Sequence, residues 1–137
     1  MRTVVLDNEA VQALTRVAHP KHRVVVAHLA GAASRRRRGR ITETVVPTSV
    51  RVEAGWDRSQ PGAAALNRFR VRDHVLDGPT ADVAASVVAV GAVTSVADAH
   101  VGATVRAVAS GDIVVLSSDP RDMAAVCSPT PVTIVAI

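Results

Sequence analysis

The stretch Ile113-Val114-Val115-Leu116-Ser117-Ser118-Asp119-Pro120 (113–120) predicts a buried strand that leads directly into a helix. Its first four residues are all apolar, which is typical of a strand covered on both faces. The polar residues that follow form a turn signal, and Pro120 suits the first turn of a helix. A buried strand followed at once by a helix is the repeating unit of a parallel α/β sheet. This stretch therefore predicts an α/β domain.

The same alternation of strand and helix continues in both directions from this stretch. The run 3–6 predicts a strand that ends at Asp7, and further strands are predicted at 44–46, 74–76 and 132–135. Helices are predicted from about 10 to a stop at 19–20, and at 21–36, 47–55, 80–92 and 96–109, with short helices after 61–62 and 119. Alternating elements of this kind predict a central, mostly parallel sheet covered by helices.

Length and composition limit the class of protein. With 137 residues, the chain fits a single domain spanning 1–137. A hydrophobic fraction of 48% excludes a disordered chain, and the single cysteine, Cys127, excludes a disulfide scaffold. The start of the chain has no secretory pattern, and the longest near-apolar run, 83–93, is about half of the roughly 20 residues needed to cross a bilayer. We therefore expect a cytoplasmic protein without a membrane-spanning segment.

The charge balance is basic and consists almost entirely of arginine. The chain has 16 Lys and Arg residues against 12 Asp and Glu, and Lys21 is its only lysine. Because arginine binds phosphate with two parallel donors, this excess suits an anionic partner such as nucleic acid. The densest run, Arg35-Arg36-Arg37-Arg38-Gly39-Arg40, predicts contacts with substrate phosphates. The run also suits a solvated helix end, where cations interact with free carbonyl groups and Gly39 stops the helix.

Four carboxylates occupy positions where the predicted fold would gather them. Asp7 and Asp119 each follow a predicted strand, and ligands of open parallel sheets bind beyond the carboxyl ends of the strands. Asp98 lies three residues before Val101, on the apolar stripe of its helix. Glu53 lies at helical spacing from the apolar residues before it, on the side expected to pack. We therefore expect these four side chains to converge.

The residue types in this set indicate a cation site. A carboxylate that points into a core costs several kcal/mol unless it is paired or bound to a metal, and the chain has too few cations in register to neutralise four. Carboxylates without a Lys or His partner are the ligands that a hard divalent cation prefers. Asp7 and Asp119 also suit helix caps, which is compatible with metal binding. Ser95 and Asp98 suit a capping box, and Glu53 suits an exposed helix position.

The acids lie in four short segments whose order is characteristic, although each segment alone is a weak motif. These segments are Val4-Val5-Leu6-Asp7, Pro47-Thr48-Ser49-Val50-Arg51-Val52-Glu53, Ala97-Asp98-Ala99-His100-Val101-Gly102-Ala103 and Val114-Val115-Leu116-Ser117-Ser118-Asp119-Pro120-Arg121-Asp122-Met123. In a chain of this length, their order and spacing resemble the PIN-domain ribonucleases, in particular the VapC-like toxins of toxin–antitoxin pairs. The resemblance covers most of the chain.

The resemblance implies a three-layer α/β/α domain with a central, mostly parallel sheet. In that family, acids at these places hold Mg²⁺ or Mn²⁺ for phosphodiester cleavage, so the implied catalytic and metal-binding residues are Asp7, Glu53, Asp98 and Asp119. Ser117 and Asp122 stand where the family has supporting residues beside the site. Glu9 stands where the family often has Ser, and it adds a negative charge near the metal.

The implied function is that of a metal-dependent endoribonuclease, the toxin of a toxin–antitoxin pair. Hydrolysis would use a metal-coordinated water, and no Ser, His or Cys nucleophile is required. Family members usually form homodimers and are inhibited by a cognate antitoxin laid over the active-site groove. RNA as the substrate follows from the resemblance, because the residues themselves do not distinguish RNA from DNA.

Two other classes of function are compatible with parts of the sequence. In a non-catalytic nucleic-acid-binding or partner-binding domain, the acids would be helix caps and the arginines would bind the partner. Asp7-Asn8-Glu9 also resembles the motif of haloacid-dehalogenase-like phosphohydrolases, but its second acid is Glu. That class and the signalling receiver domains need a lysine after a later strand, and Lys21 lies too early in the chain. Metal titration separates the binding module from the nuclease.

Overall fold

The computed structural model describes residues 1–91, 95–108 and 111–137. The strands in this part of the chain are β1 (Arg2–Leu6), β2 (Thr42–Pro47), β3 (Val71–His74), β4 (Asp112–Ser117) and β5 (Thr133–Ala136). The α-helices are α1 (Asn8–Thr15), α2 (His22–Arg37), α3 (Thr48–Ala54), α4 (Gly78–Ala89), α5 (Val96–Ala107) and α6 (Pro120–Cys127), and a 3₁₀ helix spans Pro61–Phe69. None of these helices is long and apolar enough to span a membrane.

The five strands form one sheet in the order β3-β2-β1-β4-β5, and every pairing in it is parallel. β1 is the central strand, and its Val5 pairs with Val45 of β2 and with Val115 of β4. All three valines are buried because helices cover both faces of the sheet. The prediction of a mostly parallel α/β sheet is confirmed.

The order of the strands places the helices in two layers. The chain moves from β1 to β2 and β3 in one direction, then crosses back to β4 and continues to β5 on the other side. Because crossovers between parallel strands are right-handed, the connection from β1 to β2 and the connection from β3 to β4 cover opposite faces. α2 packs against β2, whereas α5 packs against β1 and β2 from the opposite layer. The predicted three-layer α/β/α arrangement is confirmed.

The reversal of direction between β1 and β4 determines where a ligand can bind. The helices that follow these two adjacent strands diverge to opposite faces, which leaves a crevice beyond their carboxyl ends. Leu6, the last residue of β1, pairs with Leu116 of β4, so the residues that follow the two strands emerge side by side. Two of the sequence-predicted acids lie directly after these strands.

The first helix is shorter than the sequence predicts. α1 ends at Thr15, and Val17, expected on its apolar stripe, is 82% exposed. The turn into α2 is held instead by two histidines. The Lys21 N–H donates to Nδ1 of His19, and Nδ1 of His22 lies 2.7 Å from the carbonyl oxygen of Ala13. These local hydrogen bonds turn the chain back before the apolar spacing reaches Val17.

The third strand lies earlier than predicted, and two predicted helix ends fall outside the described residues. The prediction of a strand at 74–76 shares only His74 with β3. Val71 packs into the core at 6% exposure, whereas Val75 is 59% exposed. The earlier segment therefore forms the strand because its apolar side chain is the one that becomes buried. The helices expected at 80–92 and 96–109 correspond to α4 and α5, and their predicted last residues, 92 and 109, lie outside the described part of the chain.

Candidate active site

Asp7 lies immediately after β1 and is buried, with 6% exposure. Its side chain caps α1, since Oδ1 accepts a hydrogen bond from the Ala10 N–H at 2.8 Å. Burial raises the pKa of Asp7 above its usual range, and hydrogen bonds from the Ser117 hydroxyl and the Ala10 and Ser118 N–H groups partly offset this effect. The structure therefore holds this carboxylate in one orientation at the end of the central strand.

Asp119 follows β4 and is exposed at the start of α6. Its Oδ1 accepts a hydrogen bond from the Asp122 N–H at 3.3 Å, so it caps this helix. Oγ of Ser117 accepts from the Asp119 N–H at 2.9 Å, and the same hydroxyl donates to Asp7. A hydrogen bond with the Asp119 side chain and repulsion from its charge raise the pKa of Asp122. Ser117 thus connects the two strand-end acids.

Asp98 lies in the first turn of α5, where Ser95 caps the helix by accepting from the Asp98 N–H at 3.3 Å. The side chain is partly buried. Burial is the largest cause that raises the pKa of Asp98. Repulsion from neighbouring carboxylates adds to it, and these neighbours are Glu53, Asp7, Asp122 and Asp119. Acids at the ends of β1 and β4, in α3 and in α6 therefore all act electrostatically on one carboxylate of α5.

Glu53 is exposed, whereas the sequence predicts that it packs. The buried positions of α3 are Val50 and Ala54, and Glu53 lies outside that face. The Nδ2 group of Asn8 donates to Oε1 of Glu53 at 3.0 Å, which connects α1 to α3. The sequence alone predicts no role for Asn8. An amide directly after Asp7 is the only signal, and its partner 45 residues away becomes visible only in the fold.

Glu9 lies in the first turn of α1, and its Oε1 is 2.8 Å from Nε2 of His19. Repulsion from its charge adds slightly to the raised pKa of Asp7, which burial dominates. We define the acidic cluster as Asp7, Glu53, Asp98, Asp119 and Asp122. The structure thus places Glu9 beside this acidic cluster, in contact with a histidine of the α1–α2 turn.

A buried histidine connects two of the helices that carry residues of the acidic cluster. His100 is completely buried, two residues after Asp98, and its Nδ1 accepts from the Ser49 hydroxyl of α3 at 3.0 Å. Burial, followed by repulsion from His74, lowers the pKa of His100 to about 4, so the ring is neutral near pH 7. This contact joins α3 to α5 and sets the position of Glu53 relative to Asp98.

No ion pair neutralises the acidic cluster in the described residues. None of its five carboxylates forms an ion pair with Arg, Lys or His there. In the same ranges, no three His, Cys, Asp or Glu side chains are close enough to hold a metal ion together. The carboxylates are therefore near enough to repel one another, and they are not in a coordination geometry.

Two solved structures have a similar fold. The first is VapC20 of Mycobacterium tuberculosis, a toxin that cleaves the sarcin–ricin loop. It shares 15% sequence identity with this chain and has a TM-score of 0.50, and the match covers 85% of this chain and 91% of VapC20. The second is FitAB bound to the IR36 DNA fragment, with 17% identity, 97% of this chain and 94% of that chain covered, and a TM-score of 0.55. The chain has a VapC-like PIN-domain fold. At these identities the likeness concerns the fold, and no family model or curated protein matches the sequence significantly.

The arginine run lies at the opposite edge of the sheet from the acidic cluster. α2 ends at Arg37, just before the amino end of β2, whereas Asp7 follows the carboxyl end of β1. Five residues of strand separate the two edges by roughly 17 Å. The structure therefore does not bring Arg35, Arg36, Arg37, Arg38 and Arg40 to the acids.

Proposed function

We propose that the chain is a Mg²⁺- or Mn²⁺-dependent endoribonuclease and the toxin of a toxin–antitoxin pair. The observation that carries this proposal is the acidic cluster, in which burial and then repulsion from four neighbouring carboxylates raise the pKa of Asp98, while no ion pair among the described residues balances the charge. Uncompensated charge of this kind destabilises a fold, so its presence at the carboxyl edge of a parallel sheet favours a functional role.

The donor set fits a hard divalent cation. Mg²⁺ and Mn²⁺ bind carboxylate oxygens and retain several waters, so one or two firmly placed carboxylates are sufficient to begin a site. Asp7 is held by its cap and by Ser117, and Asp98 is partly buried beside it. Glu53 and Asp119 are exposed, and exposed side chains change rotamer within nanoseconds. We propose that these two side chains complete the coordination shell by changing rotamer when the ion binds.

The residues of the cluster take different parts in the proposed reaction. A divalent ion, when bound, would act as a Lewis acid toward the phosphate and lower the pKa of a coordinated water. Asp7 and Asp98 would hold this ion, with Glu53 and Asp119 completing the set. Asn8 would orient Glu53, and Ser117 would orient Asp7. His100 is buried and neutral, which agrees with a mechanism that needs no histidine base.

RNA, an antitoxin and a second copy of the chain are the proposed partners. Support for RNA as the substrate and for a role as a toxin comes from VapC20, a toxin that cleaves the sarcin–ricin loop. Support for an antitoxin comes from the resemblance to the VapC-like toxins of toxin–antitoxin pairs. Homodimer formation rests on the resemblance to the VapC-like family.

Cleavage of RNA by the purified protein tests the proposal. We expect degradation with Mn²⁺ or Mg²⁺, none with EDTA, and a loss of at least about 100-fold in Asp98→Asn. Asp82→Asn is the matched control, since Asp82 is exposed on α4 and outside the cluster. Its activity should equal that of the wild type. Activity that survives both EDTA and Asp98→Asn would contradict the proposal, and a protein that binds RNA but never cleaves it would favour the non-catalytic alternative.

A further inference from the structure

A second charged site lies at the amino edge of the sheet, away from the acidic cluster. A cavity of about 350 Å³ is bordered by the last turns of α2 and by the end of the 3₁₀ helix. Its lining consists of Arg36, Arg37, Arg68, Arg70 and Ala33. Two arginine segments more than 30 residues apart in the chain thus form one cavity, which we call the arginine cavity.

Arg36 is held in the arginine cavity by hydrogen bonds to two backbone carbonyl groups. Its Nη2 donates to the carbonyl oxygen of Phe69 at 2.9 Å, and its Nη1 donates to that of Thr42 at 3.3 Å. These bonds connect α2 to the end of the 3₁₀ helix and to β2. The guanidinium of Arg68 lies over the Phe69 ring, 4.7 Å from its centroid. Specific contacts therefore hold two of the four lining arginines, Arg36 and Arg68, in place.

Arg70 has an unfavourable backbone conformation for its residue type. Its φ is +51°, and no other non-glycine residue in the described ranges has a positive φ. Glycine adopts this left-handed region without steric cost, whereas an arginine in the same conformation lowers the stability of the fold. Strained residues of this kind cluster at binding sites. The strained residue Arg70 lines the cavity, which is consistent with a binding role for its side chain.

The charge of the arginine cavity is not balanced by acids. No Asp or Glu lines it, and none of its four arginines forms an ion pair in the part of the chain that the structure describes. Burial, followed by repulsion from Arg70 and Arg37, lowers the pKa of Arg36. Four guanidinium groups that repel one another around an open cavity are suited to an anion with several oxygens.

We propose that the arginine cavity binds backbone phosphates of the RNA, as a site separate from the acidic cluster. The identity of the nucleic acid as RNA rests on the proposed function. Phosphate is favoured over bases because Phe69, the one aromatic residue at this site, is buried at 4% exposure and offers no stacking surface. It is favoured over an acidic protein segment because Ala33 is the sole apolar residue of the lining, which leaves a protein partner no apolar anchor.

The experiment compares RNA binding by Arg68→Ser/Arg70→Gly with that of the wild type, in EDTA so that cleavage cannot interfere. Fluorescence anisotropy with a labelled single-stranded RNA gives Kd at several salt concentrations. We expect binding about tenfold weaker, and a salt slope smaller by about 1.4, since each lost phosphate contact in a single strand lowers it by about 0.7. Thermal unfolding should change little, because relief of the backbone strain at position 70 offsets loss of the contact between Arg68 and the Phe69 ring.

The control is Arg16→Ser/Arg23→Ser, which removes the same charge from exposed positions outside the cavity. An equal loss of affinity in this control would overturn the proposal, since binding would then follow net charge alone. Unchanged affinity in Arg68→Ser/Arg70→Gly would also overturn it. Polyphosphate should compete with RNA at lower concentration than polyglutamate of equal charge, and the reverse order would assign the cavity to a protein partner instead.

Failure of this proposal is distinguishable from failure of the proposed function. RNA binding is measured without divalent metal and needs no cleavage. Wild-type cleavage together with unchanged binding in the arginine variant would reject only the arginine cavity. Weaker binding in that variant, with no cleavage by the wild type under any metal, would reject only the nuclease.

Discussion

Asp7 combines two roles that ordinarily fall to different residues. Its Oδ1 caps α1 through the Ala10 N–H, and its negative charge lies at the end of the central strand, where burial raises its pKa. The cap requires an oxygen, and the proposed cation requires a charge. Substitutions that keep one property and remove the other can therefore separate the two roles.

Asp7→Asn should retain the cap and remove the charge, whereas Asp7→Ala removes both. In metal-free buffer, we expect Asp7→Asn to be more stable than Asp7→Ala by about 1 kcal/mol, the usual value of an N-cap side chain. Urea unfolding followed by the fluorescence of Trp56, the only tryptophan, measures this difference. Both variants should lose RNA cleavage. Equal stability of the two variants would show that the cap does not contribute.

Asp98 should make stability depend on pH in a defined direction. Because its pKa is raised in the fold, the ionised group destabilises the metal-free protein above that pKa, and protonation removes the penalty as pH falls. Asp98→Asn should therefore be more stable than the wild type at pH 7, and the difference should shrink as the pH falls through the raised pKa toward 3.8, the ordinary value. Denaturant unfolding at a series of pH values measures it.

Asp57 provides a control of opposite sign. Hydrogen bonds from the Ser59 hydroxyl and N–H lower the pKa of Asp57, so its ionised form contributes stability above pH 3.8 that is lost as pH falls through the lowered pKa. Asp57→Asn should be less stable than the wild type at pH 7, with a difference that disappears in acid. Parallel pH trends in the Asp57 and Asp98 variants would contradict both assignments.

At the scale of elements, the close packing of α5 against α6 determines the distances within the acidic cluster. α5 carries Asp98, and α6 begins at the cap formed by Asp119. The two helices approach closely at Gly102, where a Cβ atom would lie 2.8 Å from both Cγ1 and the carbonyl oxygen of Val126. Gly102 is therefore required for contact between the helices, despite the lower helix propensity of glycine.

Gly102→Ala should lower the free energy of unfolding by about 1–3 kcal/mol, the usual cost of overpacking. Gly31→Ala in α2 is the matched control, because a Cβ there would contact nothing within 4 Å. That control should raise the free energy of unfolding by up to about 1 kcal/mol through helix propensity. Thermal or urea denaturation distinguishes the two. A stabilising Gly102→Ala would contradict the close approach of α5 and α6.

At the scale of the whole molecule, the parallel sheet separates the two kinds of charge. All carboxyl ends of the strands meet at one edge, where the acidic cluster lies, and the arginine cavity lies at the other edge. The net charge of +4 therefore includes an acidic cluster at one edge of the sheet and an arginine cavity at the other. Because the ends are roughly 17 Å apart, a change at one should hardly affect ligand binding at the other.

Mn²⁺ should stabilise the whole fold through the acidic cluster alone. At a metal concentration 100 times Kd, the free energy of unfolding should rise by about 2.7 kcal/mol in the wild type and equally in Arg68→Ser/Arg70→Gly. Asp98→Asn should show a much smaller rise. Thermal unfolding with and without Mn²⁺ provides the measurement. A wild type that does not respond to Mn²⁺ would contradict the metal site.

The sequence by itself determined the fold class, because local signals and the global fold agree. Uninterrupted apolar runs such as Ile113 to Leu116 predict buried parallel strands, and the sheet is entirely parallel. Helix caps such as Asp119 are local in sequence and were predicted from sequence. Strand ends are local features as well, so the positions of Asp7 and Asp119 at one edge follow from the topology that the alternation of elements predicts.

Only the tertiary structure decided which surfaces are buried and which distant residues meet. Spacing predicts burial for Val17 and for Glu53, yet both are exposed, because a side chain is buried only where another element covers it. The contact between Asn8 and Glu53 spans 45 residues, and no local pattern encodes it. The meeting of the two arginine segments at the amino edge depends in the same way on how far α2 extends across the sheet. Periodicity predicts which face of an element is apolar, but the packing of the whole chain determines what that face contacts.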